Sequence, residues 1–324
     1  MPKIFLRANA NKLIGMGHLM RLESIEFMIN SYFDCVYLLR EEDSEAFMFL
    51  NNKKVVKIPT QKKHKNESEW IANNILTGNE IVILDGYTFD TDYQLTLRNK
   101  SKGLVFIDDI QSFHYVADIV INHALGISAD KFSKESYTKL FLGLEYCLLR
   151  PTFLRKAKLK KSKSEKGGIL ISMGGADPEN VSQKILNDVS NLFPYFSINL
   201  IVGPTNPNYH NLLEQNKKKG NLKISKNLNE EEIAEIMINS SIAILPPSTT
   251  ALEYLCTGGL LFLYLTASNQ EHGYKTLISN EYALPYSEIF KPEILQLKKY
   301  KEFNLIDGES PKRIENAIKS LLLC

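Results

Sequence analysis

The stretch Asn9 to Arg21, NANKLIGMGHLMR, brings two glycines, an imidazole and a guanidinium within a few residues of one another. It follows a short apolar run, Ile4 to Ala8, that reads as a strand. It leads into a segment where Met20, Ile25, Met28 and Ile29 recur at roughly helical spacing. Gly15 and Gly17 are therefore expected in a strand-to-helix turn, with His18 at or beside the first turn of the helix. Free backbone N–H groups and the positive end of the helix dipole gather there. That field disfavours a proton on the ring, and a neutral imidazole can serve as a general base near pH 7.

Three further stretches carry groups suited to chemistry. In Pro246-Pro247-Ser248-Thr249-Thr250-Ala251-Leu252-Glu253 three hydroxyls cluster at a helix start, where outward N–H groups attract phosphate. Glu253, one turn on, can accept hydrogen bonds from two vicinal sugar hydroxyls; the same stretch also reads as a Ser-capped helix with one exposed Glu. In Met173 to Glu179 a strand ends in Gly174-Gly175, which lets a ligand or another backbone approach closely. Asp177 then reads as a cap and Pro178 as the first helical position, although the pair is equally a simple tight turn. Asn269 and Gln270 follow the strand Leu260 to Leu265, and their amides suit hydroxyl and acetamido groups, or else a cap and a surface position. His64, His114, His210 and His272 lie in polar segments without ligand spacing and read as surface residues.

The elements that must position these groups alternate. In the first half Ile4 to Ala8, Cys35 to Leu39, Val55 to Ile58, Ile81 to Leu84, Leu104 to Ile107 and Ile119 to Ile121 read as strands. Helical patterns separate them over Gly17 to Asn30, Asp43 to Leu50, Glu67 to Leu76 and Asp90 to Arg98. Such alternation predicts a parallel sheet covered by helices, with ligands beyond the carboxyl ends of the strands. Asp85-Gly86-Tyr87, Asp108-Asp109 and Asn122-His123 stand at those ends; each alone is a cap or turn, but with His18 they share one rim. A basic run, Arg155 to Lys166, reads as a solvated tether. A second alternating block follows, from Gly168 to Leu265. Within it Asn229 and Glu232 are placed to form a capping box at the start of a helix ending at Ser240. An amphipathic helix, Ser310 to Leu323, closes the chain with Ile314, Ala317, Ile318, Leu321 and Leu322 on one face.

The 324 residues suggest two domains at about 150 residues each, here 1–155 and 156–324, with the last helix free to pack back on the first. Hydrophobic residues make up 44% and the net charge is +2, a globular composition with no case for nucleic acid. Leu260 to Leu265 is far too short to span a bilayer, and the start lacks the apolar core of a secretory signal. Cys35, Cys147, Cys256 and Cys324 form no CxxC pair. The expectation is a cytoplasmic protein with reduced thiols, no structural zinc and no membrane contact.

Several of these segments recur in order in one family. RANANKLIGMGHLMR, Asp85 with Tyr87, FIDDI, INH, LGLEYCLLRPTF, ISMGGADPEN, STTALE and SNQ resemble the UDP-2,4-diacetamido-2,4,6-trideoxy-β-L-altropyranose hydrolases (PseG type) of pseudaminic acid biosynthesis. The resemblance spans residue 3 to about 280. It implies a glycosyltransferase-B-like α/β fold, two Rossmann-like domains facing across a cleft, with UDP held by the C-terminal domain and catalytic groups on the N-terminal one. It implies hydrolysis of the anomeric C–O bond with inversion. By position His18 matches the catalytic histidine and Tyr87 a tyrosine of the same site. Glu253 matches the ribose-binding glutamate and Ser248, Thr249 and Thr250 the diphosphate contacts, with Gly174 and Gly175 assigned to the nucleotide as well. Gly15, Gly17 and Arg21 of the first motif, with Asn269 and Gln270, fall to the sugar. Two departures stand out: Pro246-Pro247 where the family commonly has a glycine pair, and Gly86 where it commonly has histidine. Proline lacks an N–H, so phosphate donors are lost there. No cofactor and no metal are expected, so activity should survive EDTA. The expected partner is a small UDP-sugar, and a monomer is favoured. The rival readings are an inverting transferase of the same architecture and a non-catalytic nucleotide-sugar-binding protein. A nicotinamide dehydrogenase fits less well, because the first turn lacks the third fingerprint glycine.

Overall fold

Strands covered on both faces must be apolar throughout, and that is how the sheet-forming runs of this chain are built. The computed structural model describes residues 1–8, 17–60, 64–158, 167–175, 177–203, 205–291 and 306–323, without the side chains at 64, 65, 157, 158 and 269. The chain divides into two compact units, one of Met1–Pro151 with Glu309–Cys324, the other of Thr152–Gly308.

The first unit alternates β1 (Lys3–Ala8), α1 (Gly17–Ile29), β2 (Asp34–Arg40), α2 (Ser44–Phe49), β3 (Val55–Ile58), α3 (His64–Asn74), β4 (Ile81–Asp85), α4 (Thr91–Arg98) and β5 (Gly103–Ile107). Strands β6 (Ile119–Asn122) and β7 (Lys139–Leu142) complete a parallel sheet in the order β3-β2-β1-β4-β5-β6-β7. The chain winds outward from β1 to β3, then returns to β4 on the other side of β1. Between β1 and β4 lies the point where an open α/β sheet leaves a crevice for ligands. Ala8 pairs with Asp85, Asp85 with Ile107 and Ile107 with Ile121, so these carboxyl ends form one rim.

The second unit carries α5 (Pro151–Lys158, beginning at the boundary), β8 (Gly168–Ile171), α6 (Val181–Leu192), β9 (Ser197–Val202), α7 (Tyr209–Asn216), β10 (Leu222–Lys226) and α8 (Glu230–Asn239). It continues with β11 (Ser240–Leu245), α9 (Thr249–Thr257), β12 (Leu260–Leu263), α10 (Glu271–Ser279) and β13 (Leu284–Pro285). Its parallel sheet runs β10-β9-β8-β11-β12-β13, so the same winding places a switch point between β8 and β11. Ile169, Ile171, Leu200, Ile244 and Phe262 fill its core beneath α6. The last helix, α11 (Ser310–Lys319), lies in the first unit and buries Ile314, Ala317 and Ile318 there.

The doubly wound α/β class expected from the alternation is what the chain forms, twice. Details differ. On α1 the buried row is His18, Leu19, Leu22, Ile25, Met28 and Ile29, while Met20 is 39% exposed; Leu19 and Leu22 take the core positions assigned to Met20. Helix α6 starts at Val181 and not at Glu179, because Asp177 and Asn180 adopt positive φ and turn the chain first. The head of the basic run is helical: Arg155 on α5 pairs with Glu231 at 2.7 Å, and residues 159–166 fall outside the described set. Asn229 and Glu232 do form the capping box of α8.

Beneath the rim, the penultimate residue of β1, Arg7, is 1% exposed and pairs through Nε with Glu67 of α3 at 2.8 Å. Arg40, ending β2, meets the other carboxylate oxygen at 2.6 Å, and the Tyr93 hydroxyl donates to Glu67 at 2.7 Å. A buried charge persists only when paired and hydrogen-bonded, and Glu67 is both.

Candidate functional site

His18 is the second residue of α1 and is 5% exposed. Its Nδ1 lies 2.7 Å from Oδ1 of Asp85, the last residue of β4. The two groups thus flank the switch point of the first sheet. Arg21, one turn along α1, donates from Nε to Asp85 Oδ2 at 2.9 Å and from Nη2 to Asp85 Oδ1 at 2.5 Å. Its Nη1 donates to Asp109, just beyond β5. One guanidinium therefore ties the ends of two neighbouring strands to α1 in a bidentate and a single contact.

The same geometry puts Arg21 Nη2 at 2.7 Å from His18 Nδ1. Nδ1 cannot both donate to Asp85 and accept from Arg21. Two tautomers answer these contacts: a proton on Nε2 leaves Nδ1 to accept from Arg21, and a proton on Nδ1 is donated to Asp85. In the second, Asp85 Oδ1 accepts from both Nδ1–H and Nη2–H, and Nε2 is left as the basic nitrogen. Nε2 has no partner among the described residues.

Tyr87 stands beside this pair. Its ring meets the His18 ring edge-on, with centroids 4.6 Å apart and planes at 78°. Its hydroxyl donates to Asp109 Oδ2 at 3.3 Å. Burial and the neighbouring Asp109 carboxylate push the Tyr87 phenol up to about 12, so it remains protonated at neutral pH. Burial acts to raise the Asp109 carboxyl, but the Arg21 guanidinium outweighs it and holds Asp109 below the ordinary carboxylate range. Ile110 and Phe113 line the pocket with His18, Arg21, Asp85 and Tyr87. The Asp108 carboxylate is taken up by its own loop. It is 2% exposed and binds Tyr115, Asn122 and the backbone N–H groups of Ile110 and Gln111, which fixes the turn that presents Asp109.

In the second unit Gly174 and Gly175 follow β8, and Ser248 to Glu253 follow β11, again on either side of a switch point. The glycine pair is approached by backbone: a Cβ on Gly203, after β9, would collide with the Gly174 and Gly175 carbonyls, and Thr205 donates to Gly175 O at 3.0 Å. Asp177 accepts from the N–H groups of Val181 and Ser182 and so caps α6. Ser248 is the N-cap residue of α9, yet its side chain makes no capping bond. The hydroxyls of Ser248, Thr249 and Thr250 sit half-buried at the helix start, and Glu253 is 2% exposed. The alternative of a Ser-capped helix with an exposed Glu is thus right on the position of Ser248, which caps without a side-chain bond, and wrong on Glu253, which is buried. Pro246 and Pro247 are buried.

The remaining sequence candidates divide. Gly17 opens α1, Gly15 lies outside the described residues, and so does the Asn269 side chain. Gln270 Oε1 accepts from the Thr266 N–H and hydroxyl, both at 3.1 Å, so its carbonyl closes its own loop. Arg21 is committed to carboxylates rather than left open for a sugar. Sequence reasoning placed Asp85 and Asp109 on the rim but gave neither a role. The available signal was an acidic residue at each of two adjacent strand ends, facing Arg21 one helical turn after His18.

No family model matches the chain. It is 30% identical over 272 residues, 79% of its length, to an uncharacterised protein of Methanocaldococcus jannaschii, of which the match spans about half, 54%. It is 25% identical over 292 residues to the UDP-2,4-diacetamido-2,4,6-trideoxy-β-L-altropyranose hydrolase of Campylobacter jejuni, covering 88% of this chain and 99% of that one. Among solved structures, MurG of Acinetobacter baumannii superposes with a TM-score of 0.65 at 12% identity, over 99% of this chain and 100% of that one. By sequence the chain is thus a relative of the PseG-type hydrolase, and by fold it has the two Rossmann-like units of glycosyltransferase-B-like proteins.

Proposed function

We propose that this chain is a hydrolase that cleaves the anomeric C–O bond of a UDP-linked diacetamido-trideoxy hexose, with His18 as the general base for water. The observation that carries the proposal is the Asp85–Nδ1 contact at the switch point of the first sheet, which in this reading takes the Nδ1 proton and gives Nε2 the part of base. The relative's name supplies the substrate class. In the reaction Nε2 takes a proton as the water oxygen bonds to the anomeric carbon, while the bond from that carbon to the diphosphate oxygen breaks. UDP departs with the electron pair. Asp85 stabilises the imidazolium that forms, and general-base help of this kind is worth about 10²–10⁴ in rate. Tyr87 remains a neutral phenol and a wall for the sugar. Taken by itself, the start of α9 offers a diphosphate outward N–H groups and three hydroxyls, and Glu253 is the carboxylate proposed for the ribose.

The test is incubation with the UDP-linked 2,4-diacetamido-2,4,6-trideoxy hexose in H2(18)O, without any acceptor. The expected outcome is UDP free of label and (18)O on the sugar's anomeric carbon. Label in the phosphate would place cleavage at phosphorus, and UDP release only on addition of an acceptor alcohol would make the chain a transferase.

A further inference from the structure

Along the rim of the first sheet the strand ends succeed one another as Asp85 on β4, Asp109 after β5 and His123 after β6. The register ties them together: Ile107 pairs with Ile121, and Asn122 binds Asp108, so His123 and Asp109 follow neighbouring strand ends. The mechanism above leaves His123 without a task. Its Nδ1 accepts the Leu148 backbone N–H at 3.0 Å. That bond occupies the Nδ1 lone pair, so in the neutral ring the proton is on Nε2. Nε2–H has no partner among the described residues. Burial and the Arg21 guanidinium hold the imidazole at about 4, so the ring is neutral where the enzyme would work.

Arg21 binds both Asp85 and Asp109, and the Tyr87 hydroxyl donates to Asp109. In the proposed reaction the two histidines therefore offer opposite functions: His18 an acceptor nitrogen, His123 a donor. We infer that His123 is a substrate-positioning residue whose Nε2–H donates to an uncharged oxygen of the sugar, a hydroxyl or an acetamido carbonyl. A fixed-tautomer neutral donor suits such an oxygen better than a cation would, because it adds no charge beside the developing positive charge at the anomeric carbon. The inference rests on the proposed hydrolase reading for its substrate class.

Two readouts on the full chain test it. In the first, the (15)N imidazole spectrum should show His123 as the Nε2–H tautomer. UDP-N-acetylglucosamine should shift its Nε2 resonance, and UDP alone should leave it in place. In the second, with the UDP-diacetamido-trideoxy hexose, His123→Ala should raise KM roughly tenfold, the order expected for one lost hydrogen bond. The variant's affinity for UDP should stay unchanged, and His123→Gln, which returns a donor near the Nε2 position, should recover part of the loss. A bound UDP-sugar that leaves the His123 signal unmoved, no detectable UDP-sugar binding, or an unaltered KM in His123→Ala would overturn the inference. A chain that shows the shift yet releases no UDP in water would keep this contact and remove the hydrolase reading; normal hydrolysis by His123→Ala with wild-type KM would do the reverse.

Discussion

In the proposed reaction the two ring nitrogens of His18 have separate tasks, set by the contact of Nδ1 with Asp85. Asp85→Asn keeps the size of the side chain but removes the charge that holds Nδ1–H and Arg21 together. The expected result is a fall in kcat of about 10²-fold or more with a small change in KM, since the contact matters most when the ring becomes cationic. Steady-state kinetics on that variant checks it; a large KM effect at constant kcat would reassign Asp85 to binding. Glu67 makes a different kind of residue-scale prediction. Burial alone would raise its carboxyl, but Arg7 and Arg40 with the Tyr93 hydroxyl lower it from 4.5 to about 2. Its folded value lies below its unfolded one, so the stabilisation is complete above pH 4.5 and fades as the pH falls towards 2. The depression corresponds to about 3 kcal/mol. Urea unfolding of the wild type should lose that much between pH 6 and pH 2 beyond what Glu67→Gln loses; parallel pH profiles for the two proteins would rule it out.

At the scale of elements, the loops after β8 and β9 of the second unit are packed backbone against backbone. Gly203→Ala would drive a methyl into the Gly174 and Gly175 carbonyls. The variant should melt at lower temperature and bind UDP more weakly by calorimetry, and unchanged UDP affinity would detach the glycine turn from the nucleotide. That close approach was only half legible in the sequence. Gly174-Gly175 announced a place where something comes near, but its partner is a third glycine about thirty residues on, visible only once β8 and β9 are paired. Strand alternation and the α8 capping box were legible because each is a local pattern. The edge strand β7 was not: its residues are exposed or half-buried, so no continuous apolar run marks it. Asn229→Ala should cost about 1 kcal/mol, the usual worth of such a cap, in a denaturant titration.

For the whole molecule, the chain that leaves the first unit at Pro151 returns to it at Glu309. Cys147 and Ser310 approach to 3.8 Å between Sγ and Oγ, and α11 buries its apolar stripe against the first unit's other helices. Ending the chain at Gly308 should therefore weaken amide protection in α1 and β5 while sparing the second unit in hydrogen exchange. Uniform loss across both units would show that the two are not separately stable. At this scale the sequence carried the class of fold and the order of the motifs, since both follow from periodicity and turn residues. What it did not carry was the pairing across the first rim, where Arg21, Asp85 and Asp109 meet from three separate elements. The measurement that bears most directly on the account is turnover of His18→Ala beside its affinity for UDP. The base assignment predicts kcat reduced by about 10²–10⁴ with UDP bound as tightly as by the wild type; turnover at the wild-type rate would contradict it.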